Sequence, residues 1–298
     1  MTSPEIHLDE MALKSLELTD WERRVSLQRP QATFKMNDFQ RITEKLELMF
    51  QAGPHFGARY MLLQGYVGSG KSTILYDFAL NHPRIRHDNG EVEIPVIYCV
   101  VPADPTENKL SECILEAIGV PQKERSSVKP PLLARRFMNT NKVRMLILDE
   151  IQHVNLARTG KKTSVILDAI KVIGNNLGIP VVCGGTRKVC QLLLDEDKAL
   201  HRRFVSPEEP DLYSQKEDLF ELLKVIEPTI GLKRAKSLTT DSMVDVIAEN
   251  NNGTIDSIYI ALRSAAQYAI ETGEEHIHEN TFSDMGWEFP DLSDGSRG

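Results

Sequence analysis

The sequence predicts an α/β fold in which a parallel sheet is flanked by helices, followed by a small helical domain. Between residues 60 and 183, short apolar segments rich in β-branched residues alternate with segments of helical periodicity. This alternation is typical of a parallel sheet whose strands are joined by right-handed helical crossovers. After Pro207 the pattern changes, because three helical segments follow one another without a strand. The composition, 41% hydrophobic and 26% charged, is that of an ordinary globular protein.

The elements of the α/β part can be placed in order along the chain. A helix is predicted over 38–51, where apolar residues recur at intervals of three and four and Gly53-Pro54 ends the pattern. The predicted strands cover residues 60–63, 94–101, 143–148 and 179–183. The helices predicted between them cover residues 71–81, 107–118, 132–138 and 165–176.

Four regions follow from this order. Residues 1–30 are predicted to form an N-terminal arm with short helix, and residues 31–207 the α/β domain. Residues 208–285 are predicted to form the helical domain, with helices over 215–226, 240–250 and 254–272. Residues 286–298 are predicted to be an acidic tail.

The composition also excludes several classes of protein. No apolar run approaches the about 20 residues that a membrane-spanning helix needs. The N-terminus lacks the basic start and apolar core of a signal peptide. The four cysteines are widely spaced and form no Cys-x-x-Cys pair, which favours buried free thiols in a reducing compartment. We therefore expect a cytoplasmic protein with no membrane partner.

A glycine-rich segment after the first predicted strand matches G-x-x-x-x-G-K-[ST] at every fixed position. Glycine is needed because backbone amides must approach a phosphate closely, and the following helix directs its positive N-terminal end at the anion. Lys71 is expected to reach the β- and γ-phosphates of a nucleoside triphosphate, and the Ser72 hydroxyl to bind Mg²⁺. The residues expected to hold the nucleotide are Gly65, Val67, Gly68, Ser69, Gly70, Lys71, Ser72 and Thr73.

Two acids end the third predicted strand, which reads Met145-Leu146-Ile147-Leu148-Asp149-Glu150. A buried parallel strand delivers side chains at its carboxyl end to the cleft where such sheets bind ligands. Asp149 is expected to hold Mg²⁺, and Glu150 to polarise the attacking water. A residue that activates water separates this chain from small-molecule kinases.

Three further residues are candidates for catalytic roles. Thr186 follows the fourth predicted strand, and it would touch the γ-phosphate or the water if that strand lies beside the one bearing Asp149. Arg202 and Arg203 come near the end of the α/β part, where an arginine would point into the site of a neighbouring subunit. We rank Arg203 ahead of Arg202. Such an arginine finger raises turnover by roughly 10³–10⁵ where it has been measured.

Taken together, these residues resemble a known family. The glycine-rich loop, the stretch LILDEIQH at 146–153, Gly-Gly-Thr after the fourth strand, the HRRF box at 201–204 and the helical C-terminal domain resemble AAA+ ATPases. The sequence DEIQH at 149–153 is most similar to the TniB/TnsC branch of ATP-dependent transposition regulators. The resemblance covers roughly residues 30–270, and the helical domain is then a lid.

The resemblance implies an activity and partners that spacing alone does not show. Such proteins bind ATP and Mg²⁺, assemble on double-stranded DNA as rings or helical filaments, and recruit a transposase. A TniQ-type partner often directs the assembly, and ATP hydrolysis dismantles it. One departure is visible: many AAA+ lids carry an arginine in a Gly-x-x-Arg box, and here Gly253-Thr254-Ile255-Asp256 has an acid at that position.

The distribution of charge agrees with a DNA partner although the net charge is −8. Residues 121–144 contain seven bases and one acid (+6), whereas residues 271–298 contain eight acids and one base (−7). A basic segment with few aromatic residues favours contacts with the duplex backbone over base stacking. The family's placement of this region near the central channel makes four residues the candidate DNA contacts: Lys109, Lys123, Arg125 and Lys129.

Two alternatives stay open at the level of sequence. One is a related AAA+ protein such as a replication initiator or helicase loader. An initiator is expected to carry a winged-helix module after the lid, for which only about a dozen residues remain. The other is a signalling switch ATPase that acts through protein contacts alone, and loss of binding at raised salt would separate a DNA-phosphate binder from it.

Overall fold

The computed structural model describes residues 8–27, 36–55, 57, 59–103, 105–125, 128–153, 170–171, 173, 177–196 and 201–287. Their contacts form two compact units. The α/β unit contains residues 37–67 and 71–210, and the helical unit contains residues up to 36, residues 68–70 and residues from 211 onward. Most of the predicted helix over 165–176 and most of the predicted acidic tail lie outside the described residues, although residues 170, 171 and 173 are described and helical.

A four-stranded parallel sheet is the centre of the α/β unit, and its strand order is β1-β6-β5-β4. Residues 204–208 bridge in parallel to the free side of β1, through Phe204 to Tyr60 and Glu208 to Leu63. A short antiparallel pair, β2–β3, was not predicted. The strands are β1 (Tyr60–Gln64), β2 (Ile85–Arg86), β3 (Val92–Glu93), β4 (Val96–Val100), β5 (Met145–Asp149) and β6 (Val181–Gly185).

Helices flank this sheet and make up the other unit, and several begin or end at recognisable signals. The fold class predicted from the sequence, a parallel sheet flanked by helices with a helical C-terminal region, is confirmed. The helices are α1 (Glu10–Ser15), α2 (Asp20–Leu27), α3 (Asn37–Ala52), α4 (Lys71–Leu80), α5 (Glu107–Ile118), α6 (Gln122–Arg125), α7 (Pro130–Thr140), α8 (Arg187–Glu196), α9 (Lys216–Ile226), α10 (Asp241–Glu249), α11 (Ile255–Glu271) and α12 (Thr281–Asp284).

Local chemistry explains the bounds of the helices around the basic segment. The Thr106 hydroxyl accepts the backbone N–H of Lys109 and caps α5, and Gly119 ends it with a left-handed φ of 89°. Pro130 occupies the first turn of α7, where a missing N–H costs nothing. The apolar faces of α5 and α7 pack together against the sheet and help to bury β5 and most of β4.

In the helical unit, α2 packs against α11 and is pinned by a buried ion pair. The guanidinium of Arg23, only 1% exposed, donates to both carboxylate oxygens of Glu275 at 2.6 and 2.7 Å and to the carbonyl of Gly231 at 2.9 Å. The described part of the predicted N-terminal arm is therefore a packed piece of this unit. Among the described residues, no helix combines the length and apolar character that crossing a membrane requires.

Candidate nucleotide-binding site

The phosphate-binding loop (residues 65–72) leaves the carboxyl end of β1, and α4 begins within it at Lys71. Gly68 and Gly70 have left-handed φ values of 78° and 88°, which side chains other than glycine rarely adopt. The ammonium group of Lys71 is buried and donates to the carbonyls of Gly65, at 3.1 Å, and Tyr66. Burial lowers the pKa of Lys71, and the nearby charges of Asp149 and Glu150 oppose that shift. The paired acids are therefore close to the loop lysine.

Asp149 ends β5 and is 1% exposed. One of its carboxylate oxygens accepts the N–H of Glu150, and the other accepts the hydroxyl of Tyr98, each at 2.8 Å. Burial and this second bond raise the pKa of Tyr98 far above its ordinary value, so the hydroxyl keeps its proton and remains a donor. A Cβ at Gly184 on neighbouring β6 would lie 2.5 Å from Asp149 Oδ1, so glycine leaves the room that this carboxylate needs.

Glu150 has a left-handed backbone conformation, with φ at 59°, which is uncommon for a residue other than glycine. This turn leads from β5 into a 3₁₀ helix, Ile151–His153. The side-chain amide of Gln152 donates to the Glu150 carboxylate, and His153 Nδ1 lies 2.7 Å from the carbonyl of Val101. Glu150 is thus aimed by local backbone geometry and by one side-chain donor.

β6 lies between β1 and β5, so Thr186 follows a strand adjacent to the one that bears Asp149, as its predicted role requires. Thr186 directly follows β6 and is partly exposed at the carboxyl edge of the sheet, beside the strand that ends in Asp149. Arg187 begins α8 at the same edge. Its guanidinium lies 5.3 Å from the ring centroid of Tyr66 in the loop and donates to the carboxylate of Glu209.

The two candidate finger arginines lie at the amino edge of the sheet, where the strands begin, opposite the carboxyl edge that bears the loop and the two acids. Arg203 Nη1 donates to the hydroxyl of Tyr60, the first residue of β1, at 3.0 Å, and its guanidinium lies 5.7 Å from that ring. Five residues of β1, about 13 Å at 3.3 Å per step, separate this edge from the loop. Arg202 is exposed. The side chain of Arg203 is therefore engaged within its own subunit, which favours Arg202 and reverses the order predicted from sequence.

The four candidate DNA contacts differ in exposure and partners. Lys109 is exposed at the start of α5, where its ammonium lies 3.4 Å from the carbonyl of Ala103, and Lys123 and Lys129 are also exposed. Arg125 is different, because its side chain is 12% exposed. It donates to the carbonyl of Val120 through Nε and Nη2 and to Glu116 through Nη1. This geometry argues against the predicted DNA role of Arg125, since its donors already hold the end of α5.

Asp256, where many AAA+ lids have an arginine, lies in the helical unit together with residues 68–70. Its backbone N–H donates to the carbonyl of Gly68 at 3.1 Å. Burial raises the pKa of the Asp256 carboxyl, and Arg263 opposes that shift. Asp256 therefore places an acid next to Gly68, and an aspartate supplies no positive charge there.

Three residues that shape the site were not found from the sequence. Tyr98 and Gly184 act on Asp149 from the two strands that flank β5, and Gln152 acts on Glu150. A tyrosine within the buried run of β4 was a signal for a buried polar contact, because a tyrosine hydroxyl seeks a partner. Gly184 and Gln152 carried no signal that pointed to their partners.

The arrangement fits a nucleoside triphosphate with Mg²⁺. Glycine amides and a buried lysine suit phosphate oxygens, and the Ser72 hydroxyl with the Asp149 carboxylate offers the oxygen ligands that Mg²⁺ prefers. Glu150 stands one residue further along, where it would orient water for attack on the terminal phosphate. When bound, Mg²⁺ would neutralise charge that develops on the phosphates.

Comparison with known proteins decides the family. The family described as Bacterial TniB protein matches residues 24–212, well over half of the chain. The chain belongs to this TniB family. No curated protein matches the sequence.

Solved structures similar to the TniB-family chain show the fold. Cdc6p from Pyrobaculum aerophilum has a TM-score of 0.63 at 14% identity, with 87% of this chain and 69% of that chain covered. The Aeropyrum pernix ORC1 protein in complex with DNA has a TM-score of 0.60 at 15% identity, covering 88% and 68%. Drosophila ORC bound to DNA has a TM-score of 0.57 at 14% identity, covering 95% and 70%. Family and fold together show a TniB-family chain with the AAA+ P-loop NTPase fold, as expected from the sequence.

Proposed function

We propose that this TniB-family protein is an ATP-dependent regulator of DNA transposition. It binds ATP and Mg²⁺, oligomerises on double-stranded DNA as a ring or helical filament, and recruits a transposase. ATP hydrolysis then controls disassembly, and a TniQ-type protein directs where assembly starts. The observation that carries the proposal is the proximity of buried Lys71 to Asp149 and Glu150 at one edge of the sheet, in a chain of the TniB family.

The roles follow from the chemistry of each group. Lys71 binds the β- and γ-phosphates, Ser72 and Asp149 hold Mg²⁺, and Glu150 orients the attacking water. Thr186 contacts the terminal phosphate or the water from β6. The helical region 208–285 serves as the lid.

A neighbouring subunit completes the site in this proposal. Arg202 lies at the amino edge of the sheet, on the far side of β1 from its own loop, so it acts on the nucleotide of the next subunit. Head-to-tail contacts of this kind generate rings or open filaments. Arg203 holds the edge in place through Tyr60.

DNA is bound through its phosphates by exposed basic residues of the segment between β4 and β5. Lys109, Lys123 and Lys129 keep their predicted role, whereas Arg125 holds the end of α5. Two of the similar structures are described as bound to DNA, the Aeropyrum pernix ORC1 protein and Drosophila ORC. Sequence-independent phosphate contacts suit a protein that must assemble on many different targets.

Electron microscopy of negatively stained samples tests this proposal. With ATP, Mg²⁺ and duplex DNA we expect rings or filaments, and with ADP we expect none. Raising the salt concentration should weaken assembly on DNA steeply, because each phosphate contact releases counterions. A protein that stays monomeric with ATP and ignores DNA would contradict the proposal.

A replication initiator is the second candidate, because the similar structures include Cdc6p and ORC proteins. The two functions differ in what stimulates the ATPase and in which DNA is bound. A transposition regulator responds to its transposase on DNA of any sequence. An initiator prefers one origin sequence, so a strong preference among unrelated duplexes in competition binding would favour it.

A further inference from the structure

An ion pair crosses the point where β1 enters the phosphate-binding loop. Arg187 follows β6, which pairs with β1 up to Gln64 and Gly185. Glu209 comes from the other side of β1, directly after Glu208, which bridges to Leu63. The Arg187–Glu209 pair therefore spans the strand just before the loop begins.

The pair leaves most of the arginine's donors for another ligand. Nε of Arg187 donates to both oxygens of Glu209, at 2.7 and 2.8 Å, and the two Nη groups take no part in these bonds. The guanidinium is held from a second side by the Tyr66 ring, although the side chain is 59% exposed. A guanidinium fixed on one edge presents its other N–H groups in a fork that matches phosphate oxygens.

The location of this fork is the terminal-phosphate side of the site. β6 lies between β1, which leads to the loop, and β5, which ends in Asp149. Residues that follow β6 therefore lie between the loop and the two acids, where the γ-phosphate and Mg²⁺ meet. Burial is the main cause of the lowered pKa of Lys71, and the charge of Glu209 is among those opposing it, so the pair is also near the loop lysine.

The alternative is that the ion pair has only a structural role, connecting two chain segments across β1. Exposed ion pairs contribute little to stability, so a purely structural role would add little to the free energy of unfolding.

We propose that Arg187 binds the terminal phosphate of ATP bound in its own subunit and makes the site prefer ATP over ADP. This inference rests on the proposed function, since it names a further residue of the same nucleotide site. Glu209 and Tyr66 are positioning residues that aim the guanidinium.

Titration of the full-length protein with fluorescent ATP and ADP analogues, each with Mg²⁺, tests the inference. Arg187→Ala should raise the Kd for the ATP analogue about tenfold or more, the effect of losing a charge-assisted hydrogen bond, and change that for the ADP analogue less than about twofold. Lys188→Ala is the matched control, because it removes the same charge from the next, exposed position. It should change neither Kd by more than about twofold.

Glu209→Gln distinguishes phosphate binding by Arg187 from a purely structural role of the ion pair. If Arg187 binds phosphate, this variant keeps or tightens ATP binding, because the glutamine oxygen still accepts from Nε of Arg187 and keeps the guanidinium in place while one acid near the site is removed. If the ion pair has only a structural role, Glu209→Gln and Arg187→Ala weaken ATP binding to the same extent, and the inference is wrong. Equal losses for ATP and ADP, or no loss, in Arg187→Ala would also overturn it. Failure of the unaltered protein to bind ATP would instead contradict the proposed function itself.

Discussion

The Tyr98 hydroxyl holds one oxygen of the buried Asp149 carboxylate, and it shows what a sequence can and cannot reveal about single residues. Lys71 and Asp149 could be predicted as site residues because each belongs to a motif of consecutive residues in the sequence. The contact of Tyr98 with Asp149 joins residues 51 apart in sequence and depends on the register of β4 against β5. The pairing of Arg187 with Glu209 likewise depends on two chain segments that meet across β1. Such contacts follow from strand order, which local patterns do not specify.

Removing that hydroxyl should destabilise the protein measurably. In Tyr98→Phe, Asp149 loses a donor while remaining buried, and an acceptor left with one bond fewer costs about 1–3 kcal/mol in the free energy of unfolding. Tyr76→Phe is a matched control, because the Tyr76 ring packs edge-on against Tyr98 at 5.4 Å and Tyr76 is 50% exposed. Urea unfolding should show a loss below about 0.5 kcal/mol for Tyr76→Phe. Equal effects of both substitutions would mean that the hydroxyl of Tyr98 does not support Asp149.

At the scale of elements, the predicted and observed bounds agree best where residues in the sequence cap or terminate the element. The predicted helix over 107–118 coincides with α5 because Thr106 and Gly119 cap it. The strands β2 and β3 were missed because two-residue strands are too short to show an alternating pattern. The short helix of the N-terminal arm was predicted, but its packing was not. That packing depends on Arg23, which reads as a surface charge in sequence and is buried against Glu275.

The pair of Arg23 with Glu275 gives a stability prediction for the helical unit. Arg23→Ala should lower the free energy of unfolding by about 3 kcal/mol, because the buried Glu275 carboxylate loses its guanidinium partner, although Lys233 stays beside it. Arg24→Ala is the matched control, since Arg24 pairs with the exposed Glu271 and should cost less than about 1 kcal/mol. Urea unfolding followed by circular dichroism measures both. A cost of Arg23→Ala no larger than that of the control would contradict the packing described here.

The same pair has a pH dependence whose sign can be stated. The hydrogen bonds from Arg23 lower the pKa of Glu275 below its ordinary 4.5, against the opposing effect of burial. A lowered pKa means that the stabilisation is fully present above pH 4.5 and is lost as the pH falls through the lower value. The difference in stability between the unaltered protein and Arg23→Ala should therefore shrink below pH 4.5.

At the scale of the whole molecule, the sheet carries candidate catalytic groups at both edges. Lys71, Asp149 and Glu150 lie at the carboxyl edge, and Arg202 lies at the amino edge. β1 separates the two sets within one subunit, so the proposed function places Arg202 at the nucleotide of a neighbouring subunit in head-to-tail order. The AAA+ fold was predictable from sequence because its motifs occur in a fixed order, whereas the choice between Arg202 and Arg203 required the contact with Tyr60.

Mixing two inactive variants tests whether the site is shared. Arg202→Ala keeps its own loop and acids but should lack a finger, and Glu150→Gln keeps its finger but should not activate water. In an equal mixture about one quarter of head-to-tail interfaces join an Arg202→Ala site to an intact finger, so ATP hydrolysis should return to roughly that fraction. Arg203→Ala in place of Arg202→Ala is the comparison. No recovery with Arg202→Ala, or recovery only with Arg203→Ala, would contradict the assignment of the finger.

The lifetime of the DNA-bound assembly after ATP is withdrawn tests the central claim most directly. Light scattering would follow assemblies formed on duplex DNA with ATP and Mg²⁺ and then diluted into buffer without ATP. If hydrolysis times disassembly, the unaltered protein should lose its assemblies, Glu150→Gln should keep them much longer, and Lys71→Ala should form none. Assemblies of Glu150→Gln that decay as fast as those of the unaltered protein, or Lys71→Ala assembling normally, would contradict the account.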